Sequence, residues 1–248
     1  MLFDYFYRVS SDRSLRFITV LDYTVNSSNG IITIPQDPTK LNAVQLGLSV
    51  NERTGVEFAY SFFLNVNQST FSGNDELFHV FHKGYPSMWP LFGPGVFIHG
   101  KDNTMKIFMN TNKNIMLSAD ITNIPVAKWF HVVLNCYNSG LDIYINGNLA
   151  QRLSFKGSVV YQNFQDLILF SPNRITISNT VTRAVGDSPL VISGPMNGMI
   201  SSMKYARYAL SLKEITALMG AGPSSNIKST SVNTDTTYLS DTWWADQK

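Results

Sequence analysis

The chain has 248 residues, of which 44% are hydrophobic, 12% aromatic and only 15% charged, with a formal net charge of +2. That length suits one large all-β domain and allows a sizeable core without disulfides or metals. The single cysteine, Cys136, rules out a disulfide within the chain, and the near-balanced charge without any Lys/Arg-rich run argues against a nucleic-acid partner.

The opening residues, MLFDYFYRVS, lack the basic and apolar blocks of a secretory signal. No apolar run approaches the roughly 18 residues of a membrane span. The expected location is therefore a virion or a cytoplasm. Residues 1–44, with Leu2, Phe3, Tyr5, Phe6 and Tyr7 near their start, read as a segment packing on or beside the main domain.

From Val56 to Val66 the chain alternates strictly. Val56, Phe58, Tyr60, Phe62, Leu64 and Val66 fall on one face, so a half-buried strand is expected with that face inward. Shorter strands follow at Leu77–His82, Gly95–His99 and Met105–Met109, punctuated by Asn and Gly. Residues 129–155 form a three-stranded meander. Phe130, Val132, Leu134 and Cys136 alternate, Asn138-Ser139-Gly140 turns, Leu141, Ile143 and Ile145 resume, and Asn146-Gly147 is the preferred pair for a type I′ hairpin. One helix is expected after Ser211, where Ser211 and Glu214 make a capping box and Leu212, Ile215, Leu218 and Met219 recur at helical spacing. Gly220 and Gly222-Pro223 close it.

Two stretches carry a family resemblance. Trp129-Phe130-His131-Val132-Val133 with Leu141-Asp142-Ile143-Tyr144-Ile145-Asn146-Gly147 is one. Met196 to Ile200, running through Tyr205-Ala206-Arg207-Tyr208-Ala209-Leu210-Ser211 to Glu214-Ile215, is the other. Together they resemble the concanavalin-A-like, or laminin-G-like, β-sandwich family. The resemblance implies an all-β, two-sheet antiparallel jelly-roll sandwich over residues 45–222 with one short C-terminal helix. Residues 223–248 then read as an extended polar tail. The fold by itself is silent on activity, because such sandwiches host lectins, hydrolases and structural proteins alike.

The side-chain inventory argues against catalysis. Glycosidases on this architecture carry carboxylates at alternating positions of one strand, whereas the four glutamates, Glu52, Glu57, Glu76 and Glu214, have no acidic partner two or four residues away. His79 and His82, three apart on one strand, should point to opposite faces and share no metal. They read as half-buried residues with ordinary hydrogen bonds. Cys136 reads as a small buried hydrophobe. Laminin-G-like relatives often hold calcium at a rim, for which Asp75, Asp102 and Asn103 supply oxygens, although they form no recognisable ligand string.

Two aromatic groups point to binding. The proline-rich loop Lys83–Pro94 carries Tyr85, Trp89 and Phe92, either exposed to a partner or folded back over the sandwich. The tail ends in Tyr238, Leu239, Trp243 and Trp244, rings that need a groove in this chain or in another. The expectation is a non-catalytic structural protein joined to other subunits of an assembly, such as a minor capsid component of a large DNA virus or phage. The alternative is a glycan-binding module, with or without calcium; no other cofactor is expected.

Overall fold

The structure is a computed structural model and describes residues 17–50, 56–178 and 189–228. Two sheets face one another. The first contains β1 (Phe17–Thr19), β2 (Thr24–Asn26), β4 (Phe58–Val66), β9 (Phe130–Tyr137), β10 (Gly140–Ile145), β11 (Asn148–Ser154) and β15 (Gly198–Ala206). Its order is β1-β15-β4-β9-β10-β11, with β2 also paired to β15. The second contains β3 (Ile32–Ile34), β5 (Leu77–Lys83), β6 (Gly95–His99), β7 (Thr104–Met109), β8 (Leu117–Thr122), β12 (Leu167–Leu169), β13 (Arg174–Ile177) and β14 (Leu190–Pro195). Its order is β13-β14-β5-β6-β7-β8, and β12 pairs with β3 and β5. All named pairs are antiparallel except β14 with β5. The expected all-β two-sheet sandwich is thus present, and residues 17–34 add strands to both sheets.

The alternation read from the sequence sets the core. Phe58, Tyr60, Phe62, Leu64 and Val66 of β4 face inward beside Phe130, Val132, Leu134 and Cys136 of β9 and Leu141 and Ile143 of β10. Phe62 meets Phe81 of the opposite sheet edge-to-face, with centroids 5.1 Å apart. That geometry adds to plain area burial because the ring edge is positive and the face negative. Asn146 and Gly147 adopt φ of 49° and 78°, as the hairpin turn requires.

β4 is not half-buried, as alternation alone suggests. Its other face, Ala59, Ser61 and Phe63, is buried too. A helix, α1 (Leu212–Ala221), lies over Ala59, Val133, Tyr144 and Ala206 with Leu210, Ile215 and Leu218. The helix begins as expected, with Ser211 accepting from the Glu214 amide and the Glu214 carboxylate accepting from the Ser211 amide. Buried Asn135 ties its approach down, accepting from the Leu210 amide at 2.8 Å and donating to the Leu210 carbonyl at 3.0 Å. Residues 224–228 continue along β2, where the Thr24 amide donates to the Asn226 carbonyl at 2.7 Å.

Phe62→Ala should lower unfolding stability by about 3–5 kcal/mol, since a fully buried ring leaves a cavity between the sheets. Leu149→Ala on the edge strand β11, with a half-exposed side chain, should change it by less than about 0.5 kcal/mol. Denaturant unfolding of both variants checks the assigned faces.

Candidate functional site

The outer face of the second sheet is apolar, carrying Leu77, Phe97 and Phe108, and the loop after β5 folds across it. Met88 and Phe92 of that loop are buried in the same cluster, with Phe92 edge-on to Phe97 and Phe108 at 6.3 and 5.5 Å. A buried asparagine fastens the loop. Asn110 Oδ1 accepts from the Phe92 amide at 3.0 Å, and Nδ2 donates to the carbonyls of Pro90 at 3.1 Å and Ile115 at 2.8 Å. Gly84 is required where the loop leaves β5, because a Cβ there would run into the Leu91 carbonyl.

Two histidines lie beneath this cover, and here the sequence expectation is corrected. The β5–β6 register slips between His79 and Phe81. This bulge sends both Val80 and Phe81 into the core. The parity beyond it is inverted, so His79 and His82 share the outer face instead of opposing faces. They are fully buried, with His79 Nε2 2.7 Å from His82 Nδ1. The Ser171 amide donates to His79 Nδ1 at 2.9 Å, and His82 Nε2 lies 2.8 Å from the Tyr85 carbonyl. Burial holds both imidazoles below their ordinary range, His82 at about 4.

At the Lys83 end of the sandwich, three irregular stretches converge. Residues 45–50, 83–94 and 156–166 are stitched by side-chain amides. Asn163 Nδ2 donates to the carbonyls of Lys83 (3.0 Å) and Gly93 (3.3 Å). Gln162 accepts from the Ser49 amide at 2.8 Å and donates to Tyr205 Oη at 3.1 Å, and Tyr205 Oη donates to the Gly47 carbonyl at 2.8 Å. Lys83 Nζ donates to the Gln165 carbonyl at 2.6 Å. Burial lowers this amine to about 8, against the opposing pull of Asp166. Among the exposed residues of this rim are four large apolar side chains, Phe164 at 72%, Tyr161 at 49%, Tyr85 at 41% and Leu48 at 40%, with polar Gln45, Ser87, Lys156 and Gln165 exposed in the same stretches.

Of the loop residues singled out by sequence, only Tyr85 reaches that surface as an exposed ring. Trp89 is half-buried, packed near Phe92. Phe92 is corrected from partner contact to cover, because its ring is 1% exposed. Sequence reasoning did not single out Tyr161 and Phe164 of the stretch YQNFQD, whose local pattern does not tell which rings face solvent. Tyr238, Leu239, Trp243 and Trp244 lie outside the described residues.

The calcium candidates sit at the opposite end. Asp75 Oδ1 is 2.7 Å and Asp102 Oδ2 3.5 Å from the two nitrogens of His99. The hydrogen bond from His99 holds the Asp75 carboxyl below its ordinary range. Asn103 Nδ2 donates to the Ile124 carbonyl at 2.7 Å. Among the described residues, no group of three or more carboxylate, imidazole or thiol side chains is arranged to hold a metal.

A Ser–His contact also occurs, with Ser61 Oγ 2.8 Å from His131 Nε2. Both are buried, and His131 Nδ1 has no partner among the described residues, so nothing orients the ring as a base. Burial takes the His131 imidazole down to about 4. Cys136 is buried with its thiol pushed up by desolvation, far from the range of a nucleophile. No helix among the described residues is long and apolar enough to cross a membrane.

No family model matches the sequence, and no curated protein matches it. Solved structures do match in fold. The binding domain of Paraclostridial Mosquitocidal Protein 1 superposes with a TM-score of 0.52 at 14% identity, covering 80% of this chain. The receptor binding domain of botulinum neurotoxin mosaic serotype C/D superposes with a TM-score of 0.52 at 12% identity, covering 84% of this chain. The matches take in 42% and 45% of those chains, so this chain spans less than half of their length. The likeness supports a broad β-sandwich; a concanavalin-A-like or laminin-G-like assignment is not carried by it.

Asn110→Ala should destabilise the chain by about 1–3 kcal/mol by leaving the Phe92 amide without its acceptor. Amides of Phe92 and its neighbours should lose hydrogen-exchange protection while those of β9 and β10 keep it. Uniform loss across all strands would show that the loop is not a separable cover.

Proposed function

We propose that the chain is a non-catalytic recognition module that docks a protein partner through the rim formed by Leu48, Tyr85, Tyr161 and Phe164. The observation that supports this is the group of large apolar side chains exposed at the rim, beside which the amides of Asn163 and Gln162 are taken up within the fold. Sugar binding by aromatic stacking also needs side-chain amides or carboxylates free to bond hydroxyls. Here Asn163 and Gln162 are bonded within the fold, and Asp166 Oδ1 accepts from the Gln36 amide at 2.9 Å. The rings face solvent on a scaffold held rigid by those same bonds, as suits the anchors of a protein interface. The fold shared with binding domains of toxins supports a binding role rather than catalysis.

The partner is proposed to be another subunit of an assembly, with a virion component as its specific form. Engagement is proposed to need no calcium, since Asp75 and Asp102 meet His99 at the far end of the sandwich. A glycan-binding module is the second reading, favoured by the exposed Gln165 next to the exposed Phe164 ring.

A photo-crosslinking residue placed at Phe164 should form a protein adduct in the native host, and one at Leu149 should not. Tyr85→Ser, Tyr161→Ser and Phe164→Ser combined should abolish the interaction with the adduct's protein, each ring contributing about 2 kcal/mol or more, without lowering Tm. EDTA should leave it intact. Absence of an adduct together with binding to a panel of immobilised glycans that the triple variant loses would replace this reading by the lectin one.

A further inference from the structure

We propose that the His79–His82 pair is an acid-released latch, which holds the loop carrying Tyr85 over the second sheet only while both rings are neutral. The proposal stands on the bonding of four ring nitrogens between two backbone groups, and it is independent of what the rim binds.

One end of the chain of bonds is the Ser171 amide, which can only donate, and the other is the Tyr85 carbonyl, which can only accept. His79 Nδ1 must therefore be bare and His82 Nε2 protonated. The remaining contact, His79 Nε2 to His82 Nδ1, needs one proton, and in a neutral His79 that proton sits on Nε2. Two protons on two rings thus satisfy every group, in one arrangement only. A third proton has no place. Put on His79 Nδ1, it faces the Ser171 N–H; put on His82 Nδ1, it faces the His79 N–H.

Among the described residues no charged side chain is in contact with either ring. From β6 the Phe97 ring lies 5.4 Å from His79. From the segment after β12 comes the Ser171 amide, and from the loop the Tyr85 carbonyl. From the β14–β15 connection the Met196 amide binds the His79 carbonyl, not the ring. Lys83, next along β5, sends its amine to Gln165. Among the described residues the titratable group that acts on His79 is His82, and burial is what dominates both rings. A proton entering here finds neither an acceptor nor a carboxylate, and a buried unpaired charge is costly. The Tyr85 carbonyl by itself favours a charged His82, so the clash lies between the rings and at Ser171, and the relief within reach is for the covering loop to lift and admit water between the imidazoles.

The sign follows from linkage. The unfolded rings take a proton near pH 6.5, whereas burial holds both latched rings below that, His82 at about 4, so the open form binds more protons in between. The latch is fully formed above about pH 6.5, weakens as pH falls, and is lost through about pH 4.

Long-range proton–nitrogen spectra of the histidine rings in the full chain, read from pH 7.5 to 4, test this. Two rings should show the Nε2–H form and stay neutral through pH 6. Over the same range, hydrogen exchange corrected for its intrinsic pH dependence should fall in protection by about tenfold or more at residues 88–92, with β9 and β10 still protected. In the His79→Phe, His82→Phe double variant that pH dependence should disappear. If the variant does not fold, the wild-type measurements decide alone. A Nδ1–H form in either ring, ordinary titration near 6.5, or opening of β9 and β10 in step with the loop would overturn the proposal.

Discussion

Leu77, Phe97 and Phe108 point out of the second sheet, away from the core, and burying them requires a cover. The loop from Gly84 to Gly93 supplies it with Met88 and Phe92, held by the Asn110 amide and by the His82–Tyr85 bond. Because the cover is a loop rather than a helix, its backbone groups must be satisfied individually, and each satisfied group fixes one more residue at the rim. The first sheet solves the same problem with α1, whose capping box and Asn135 anchor set it over Ala59 and Val133. One end of the sandwich thus becomes a stiff platform, and the rings left over on it, Tyr161 and Phe164 foremost, are presented to solvent rather than buried.

The polar groups buried inside serve this arrangement more readily than they serve chemistry. Asp142 is buried and meets Arg152 across the β10–β11 pair through two bonds, which raises the guanidinium's affinity for its proton. Asn135 and Asn110 each satisfy backbone groups that would otherwise be stranded. His79 and His82 do likewise, joining the Ser171 amide to the Tyr85 carbonyl through two rings.

The inward faces of β4, β9 and β10, the meander, the hairpin at Asn146-Gly147 and the capped helix were legible in the sequence. Each depends on neighbours in the chain: side chains alternate with a period of two, a turn needs particular backbone angles, and a cap needs Ser and Glu three apart. The inward placement of Phe58, Phe62, Val132 and Ile143 follows from the same rule. What only the tertiary structure decided are matters of partnership between distant segments. One inserted residue in β5 reversed the parity that places His79 and His82, a shift that no local pattern announces. Whether Phe92 or Phe164 would face solvent could not be read from composition, since both are phenylalanines in irregular stretches; the outer face built by Leu77, Phe97 and Phe108 buried Phe92, while Phe164, just before β12, was left exposed at the rim. Alternation tells which way a side chain points, but what lies in that direction is set by chain segments that meet only once the sandwich has closed.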